Sequence, residues 1–257
     1  MRSVAVALLL IGSILLAGCS DKGSPSNTLQ VIAAGSLLAP FAEAEQEFEA
    51  SHPGVDVRIE GHGSIQVIRQ VTDLGRKADV IAVADESLIP DLMYRPMKNS
   101  SQNFTDWYQP ISTNEMVIAY TNKSLYHEEI GPENWHRILS RPDVRVGFSN
   151  PMLDAAGYRS LMVLQLAEEE YSDPTLFETI VTDHFPSTIT VSAEGTVTTI
   201  SLPEIMRPSD DKVVIRDGSI YLLSLLTAGG IDYAIEYRSV AEGMNLSFIP
   251  LPASINL

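Results

Sequence analysis

Apolar runs that stop at a small or hydroxyl-bearing turn and pass at once into helically spaced apolar residues recur along this chain, and that pattern admits few folds. Leu29–Ala34 is such a run, Gly35-Ser36 breaks it, and Leu37, Leu38, Phe41, Ala44 and Phe48 follow at the spacing of one helix face until His52-Pro53-Gly54. Val55–Glu60 alternates as a strand, Gly61-His62-Gly63-Ser64 turns the chain, and Ile65, Ile68 and Val71 share one side of a second helix. Ala78–Ala84 is the next strand and Ser87–Met93 a short helix. After a polar crossing, Met116–Tyr120 and Val144–Phe148 read as strands and Trp135–Leu139, Gly157–Glu170 and Leu222–Ala228 as helices. Gly229-Gly230 leads into the Asp232–Tyr237 segment and Leu246–Leu251 reads as a last strand, whereas the polar stretch Tyr171–Lys212 is expected to hold a short helix and irregular connections. Strands separated by helices predict an α/β chain with mostly parallel sheets covered on both faces.

Sheets of this kind bind ligands at the carboxyl ends of their strands, beside helix starts. Three turns have the required form: Gly35-Ser36, Gly63-Ser64 and Asp154-Ala155-Ala156-Gly157. Each leaves backbone N–H groups free at a helix start, and serine adds a hydroxyl donor, so together they can wrap a small anion without a cationic side chain. Ordinary helix capping accounts for Ser36, Ser64 and Asp154 taken one at a time. The formal net charge of −16 excludes nucleic acid as a partner, because phosphate binding needs clustered Lys and Arg. The five histidines show no metal-ligand spacing, and a single cysteine excludes a disulfide.

That cysteine, Cys19, closes the run Leu16-Ala17-Gly18-Cys19, which follows Arg2 and a short apolar stretch beginning at Val4. The arrangement reads as a signal peptide whose tetrad resembles a lipobox, with residues 1–18 removed and Cys19 lipid-modified. An ordinary signal peptide with an incidental cysteine is the alternative. Residues 19–28 then form a polar tether.

Several segments together resemble the archaeal-type tungstate/molybdate-binding proteins of ABC importers, a branch of the type II periplasmic-binding-protein fold. They are Ala33–Leu37, Gly63-Ser64, Ala78–Asp85, Thr113–Tyr120, Asp154 with Gly157–Ser160, and Asp232–Tyr237 with Ser239–Ala241. The resemblance implies two α/β lobes closing on a tetrahedral oxyanion, lobe 1 from residues 29–111 with 238–257 and lobe 2 from 112–237. Hinges are expected at Ile111–Asn114 and near Tyr237. It implies donors to the oxyanion at Ser36, Leu37 and Ser64, backbone N–H groups of Ala155 and Ala156, and a tyrosine at Tyr237. It also implies a carboxylate oxygen of Asp154 on the tungsten or molybdenum itself. A carboxylate facing an anion makes physical sense only where the anion's centre is a high-valent metal that accepts oxygen donors. No cofactor is expected. The partners implied are the oxyanion, an ABC permease with its ATPase, and the membrane through the lipid anchor, with the protein a monomer.

The chain departs from the family pattern at three places. Ala155-Ala156 stand where relatives read Pro-Cys. Ser219, in Arg216-Asp217-Gly218-Ser219, stands where they carry a second acid, leaving Asp217 or Glu236 to replace it or the metal to keep a lower coordination number. Relatives also continue for several tens of residues beyond the point matching Leu257, which implies that part of lobe 1 is missing. Two other functions compete. A binder of sulfate, phosphate or another small anion shares the fold. A lipid-anchored serine hydrolase using Ser64 or Ser36 lacks the G-x-S-x-G turn.

Overall fold

The computed structural model describes residues 27–257; Cys19 and the expected signal segment lie outside them. Lobe 1 is a parallel three-stranded sheet of β1 (Asn27–Ala34), β2 (Val55–His62) and β3 (Val80–Ala82), in the order β2-β1-β3. Helices α1 (Leu38–Ser51) and α2 (Ser64–Thr72) supply its crossovers, and α3 (Leu88–Met93) follows β3. Because the β strand has a period of two, β1 sends Val31 and Ala33 into a cluster with Val57 and Phe41, while Ile68 of α2 meets Leu88, Ile89 and Met93 on α3.

Lobe 2 carries β4 (Met116–Tyr120), α4 (Trp135–Leu139), β5 (Val146–Ser149), α5 (Ala155–Glu170) and α6 (Leu176–Ile180). A hairpin of β6 (Thr190–Glu194) and β7 (Val197–Ser201) follows, then β8 (Val213–Arg216), α7 (Ile220–Ala228), β9 (Tyr233–Tyr237), α8 (Arg238–Gly243) and β10 (Ser247–Pro250). Its five-stranded sheet has the order β10-β4-β9-β5-β8, with β4 running against its neighbours. The run Met116–Tyr120 shows why both faces are covered. Met116 and Ile118 pack with Trp135, Phe148, Leu161 and Leu164 on one side, and Val117 and Ala119 with Leu222 and Leu226 on the other. Each such fully buried side chain contributes about 1.5–3 kcal/mol relative to exposure.

Three features differ from the sequence reading. Residues 238–257, grouped there with lobe 1, stand with lobe 2: β10 pairs with β4, Ile249, Leu251 and Ile255 join the lobe 2 core, and Asn256 Oδ1 accepts the Met116 N–H at 2.8 Å. An apolar run declares that it wants a sheet but not which sheet, so the sequence cannot choose. Consequently the described chain passes between the lobes once, through residues 94–115, and the crossing expected near Tyr237 leads instead into α8 of the same lobe. Asn114 ties that passage down, its amide bonding Ser239 Oγ at 2.7 Å. Lastly, Tyr171–Lys212 contains α6 but also the β6–β7 hairpin, turned at Gly195 with φ +63° and exposed along nearly its whole length. Alternating Val and Thr around a glycine was the available signal.

Candidate functional site

Strand register assembles the site. In lobe 1, Ala34 lies opposite His62 in parallel neighbours, so Ser36 and Ser64 each follow two residues beyond a matched pair. In lobe 2, Gly147 lies opposite Ala234 and Ser149 opposite Arg216, which sets Ser149, Glu236 and Arg216 side by side at the carboxyl ends of β5, β9 and β8. The two carboxyl ends face each other.

Asp154 is the centre of the contact between them. It occupies the N-cap position of α5, yet its side chain makes no capping bond there. Its Oδ1 accepts the Ser64 N–H at 3.2 Å and its Oδ2 the Ser219 N–H at 3.0 Å. One carboxylate thus receives the first amide of α2 in lobe 1 and the N-cap amide of α7 in lobe 2, where the positive ends of two helix dipoles converge. The neighbouring Leu153 carbonyl accepts the N–H groups of Ile65 and Gln66 at 3.0 and 3.2 Å. Gly63 is required by this approach: a Cβ there would stand 2.5 Å from the Leu153 carbonyl oxygen and 2.9 Å from Asp154 Cβ. The Ser64 hydroxyl accepts the Ala84 N–H at 3.1 Å and keeps its own proton available.

The surroundings of Asp154 are dry. Burial pushes its carboxyl pKa upward, against the pull of the Ser219 and Ser64 amides. Glu236 is fully buried, and burial raises its pKa to about 8, opposed by the Tyr237 N–H that Oε1 accepts at 2.7 Å and helped by the nearby Asp154. At neutral pH Glu236 therefore keeps its proton and the acid pair carries at most one charge. Among the described residues, Tyr237 Oη and Arg159 Nε are buried polar atoms with no hydrogen-bond partner, while the buried Ser149 hydroxyl lies against the Asp154 carboxyl and the Ser219 hydroxyl against that of Glu236. Leaving a buried polar atom unpaired costs about 1–3 kcal/mol, so the Tyr237 hydroxyl and Arg159 Nε point to a polar ligand that satisfies them.

A second contact crosses the lobes. Asp85, just after β3, accepts the Tyr158 hydroxyl at 2.7 Å and Arg159 Nη2 at 2.9 Å through Oδ2. Burial raises the Asp85 pKa, but the hydrogen bonds of Tyr158 and Ser87 and the charge of Arg159 outweigh it and hold the group below its ordinary value.

Of the residues singled out from sequence, Ser64, Asp154, Ser219, Glu236 and Tyr237 gather here, with Ala155 and Ala156 fully buried at the start of α5. Ser36 and Leu37 lie in the single 3-10 turn after β1, where Gly35 packs on Ile220 of α7. Asp217 is exposed, lining an open cleft of about 440 Å3 with His62, Gln66, Ile215, Arg216 and Tyr221. Glu236, not Asp217, is thus the acid beside Asp154, with the Ser219 hydroxyl against its carboxyl. Sequence reasoning assigned no role to Ser149 or Asp85. Ser149 becomes visible only through its register with β8 and β9. Among the described residues no group of three or more His, Cys, Asp or Glu forms a cage for a bare metal ion. Two acids ringed by N–H and O–H donors suit an ion that brings its own oxygen atoms.

Residues 29–257 match the family of bacterial extracellular solute-binding proteins. An uncharacterized solute-binding protein of Methanoculleus marisnigri is 42 % identical over 268 residues, covering 99 % of this chain and 73 % of that protein. A protein of Pyrococcus abyssi named molybdate/tungstate-binding protein WtpA is 42 % identical, covering 100 % of this chain and 72 % of its own. One of the same name from Thermococcus kodakarensis is 40 % identical with 100 % and 73 % covered. Among solved structures, the sulfate-binding protein SubI of Mycobacterium tuberculosis superposes with a TM-score of 0.61 at 16 % identity, over 88 % of this chain and 71 % of its own. The periplasmic molybdate-binding protein of Azotobacter vinelandii gives 0.54 at 16 % identity, over 88 % and 80 %. At such identities these two establish a shared fold, the two-lobed periplasmic-binding-protein architecture.

Proposed function

The chain belongs to the bacterial extracellular solute-binding proteins, and on that premise we propose that it captures tungstate or molybdate outside the cytoplasm and delivers it to an ABC permease. The observation that carries this reading is the Asp154 carboxylate. It is buried between the lobes, held by amides from both, and close to the Tyr237 hydroxyl, which lacks a partner.

The chemistry follows from that arrangement. The oxyanion enters between the carboxyl ends of the two sheets, and its oxygens take hydrogen bonds from the helix-start amides and from the Ser36, Ser64, Ser149 and Tyr237 hydroxyls. A carboxylate in this place repels sulfate or phosphate, whose central atoms have no room for another oxygen. A tungsten or molybdenum centre accepts it. Asp154 supplies that oxygen, and Glu236 supplies the second acid that relatives carry at the position of Ser219. The names of the Pyrococcus and Thermococcus relatives support the same cargo. Cys19, lipid-modified after removal of residues 1–18, holds the protein at the outer face of the membrane, within reach of its permease.

Calorimetric titration with tungstate, molybdate and sulfate in parallel tests the proposal. Tight binding of the first two, undiminished by excess sulfate, is expected. Equal affinity for sulfate, or no heat with any of the three, overturns it.

A further inference from the structure

The contact through Asp85 is built more heavily than a chance surface pair. Its side chain is 12 % exposed and that of Arg159 23 %, so the pair is shielded better than the exposed Arg–carboxylate pairs and is matched only by Arg145–Asp232, which lies within lobe 2. Every acceptor direction of the carboxylate is used. Oδ1 takes the Ser87 N–H at 3.0 Å and the Ser87 hydroxyl at 2.8 Å, which orients the group, and Oδ2 takes Tyr158 and Arg159 from the opposite lobe.

Its placement ties it to the anion site on both sides. In lobe 1, Asp85 follows Ala84, whose N–H holds the Ser64 hydroxyl. In lobe 2, Tyr158 is four residues beyond Asp154 on α5, hence on the same helix face. Beside the Leu153 carbonyl bonds and the packing of Gly35 on Ile220, two side-chain carboxylates therefore join the lobes at a fixed spacing, Asp154 to Ser64 and Asp85 to Tyr158–Arg159. Only the first involves groups that the oxyanion itself contacts. Arg159 keeps its Nε buried and without a partner while its Nη2 is held by Asp85, and its charge reaches the Tyr237 phenol.

We propose that Asp85 is a positioning residue for oxyanion capture, a latch on lobe 1 that grips Tyr158 and Arg159 of lobe 2 to hold the lobes together over the ligand and to aim Arg159 at the Tyr237 side of the site. This rests on the reading of the protein as a two-lobed oxyanion binder. A latch outside the ligand contacts slows escape and leaves encounter alone, so its removal shows in the dissociation rate.

The test uses the full chain carrying Asp85→Asn and, separately, Tyr158→Phe and Arg159→Gln, with wild-type folding verified by circular dichroism. Stopped-flow binding of tungstate and molybdate gives the rates. Interlobe distances are read by pulsed electron resonance between labels at exposed Leu74→Cys and Met244→Cys, in a Cys19→Ser background. Asp85→Asn is expected to raise the dissociation rate about tenfold or more with the association rate within twofold, and to broaden the interlobe distance toward longer values. Asp85→Asn and Arg159→Gln are expected to be non-additive, since they break one contact. A folded Asp85→Asn protein with unchanged dissociation rate and unchanged distances refutes the latch. If wild type binds neither oxyanion, the functional reading fails, and the distance distribution alone decides the latch: widening upholds it, identity to wild type refutes it.

Discussion

Replacing Glu236 by Gln should make the protein more stable and a poorer binder at once. The side chain is fully buried, and its pKa in the folded protein is about 8 against an ordinary 4.5. Below pH 4.5 folded and unfolded chains both hold the proton, and the group leaves stability unchanged. Between 4.5 and 8 the unfolded chain releases it while the folded chain retains it, so stability falls by about 1.4 kcal/mol per pH unit, and above 8 the loss is complete. From 4.5 to 7 that amounts to roughly 3 kcal/mol. Gln has the shape of the neutral acid and does not titrate, so it escapes the penalty and can still accept the Tyr237 N–H. Urea unfolding of both proteins without ligand, from pH 4 to 9, measures this. The two should be equally stable near pH 4, diverge in favour of the variant up to about pH 8, and run parallel beyond. Tungstate affinity of the variant should fall at pH 7, because Glu236 can release its proton to become a carboxylate on the metal and Gln cannot. Curves that stay parallel throughout would show that Glu236 ionises normally and that the dry acid pair is not there. Gain of stability with loss of binding is the expected mark of a residue kept for function.

Three further outcomes follow from the site. Asp154→Ala should weaken tungstate binding far more than Ser36→Ala in calorimetry, since it removes the oxygen offered to the metal; equal small losses would place the carboxylate elsewhere. Gly63→Ala forces a Cβ to within 2.5 Å of the Leu153 carbonyl, so the lobes cannot approach as they do here. Its tungstate affinity should drop at least tenfold with little change in melting temperature, and a wild-type affinity would refute the close approach. Gly157→Ala brings a Cβ to 2.3 Å from the Ser149 carbonyl oxygen inside lobe 2, and should instead lower stability by about 1–3 kcal/mol in urea unfolding.

What the sequence determined by itself was local. Apolar spacing reports on neighbours two, three or four residues away, so most helices and strands were legible, down to Met116–Tyr120 and Trp135–Leu139, while the short β6, β7, β8 and α8 were not. So was the chemistry of the turns: Gly63-Ser64 and Asp154 announce helix starts that can hold an anion, and helix starts form wherever those residues stand. The tertiary structure decided everything that depends on which distant segments meet. Ser64 and Asp154 lie 90 residues apart, and Asp85 and Arg159 lie 74 apart. No local pattern encodes those meetings, because they arise when two sheets present their carboxyl ends to one another. The same packing turned Glu236 from an ordinary strand residue into a buried acid that keeps its proton. It also took β10 into lobe 2, where an open edge of β4 offered hydrogen bonds and the core offered room for Ile249.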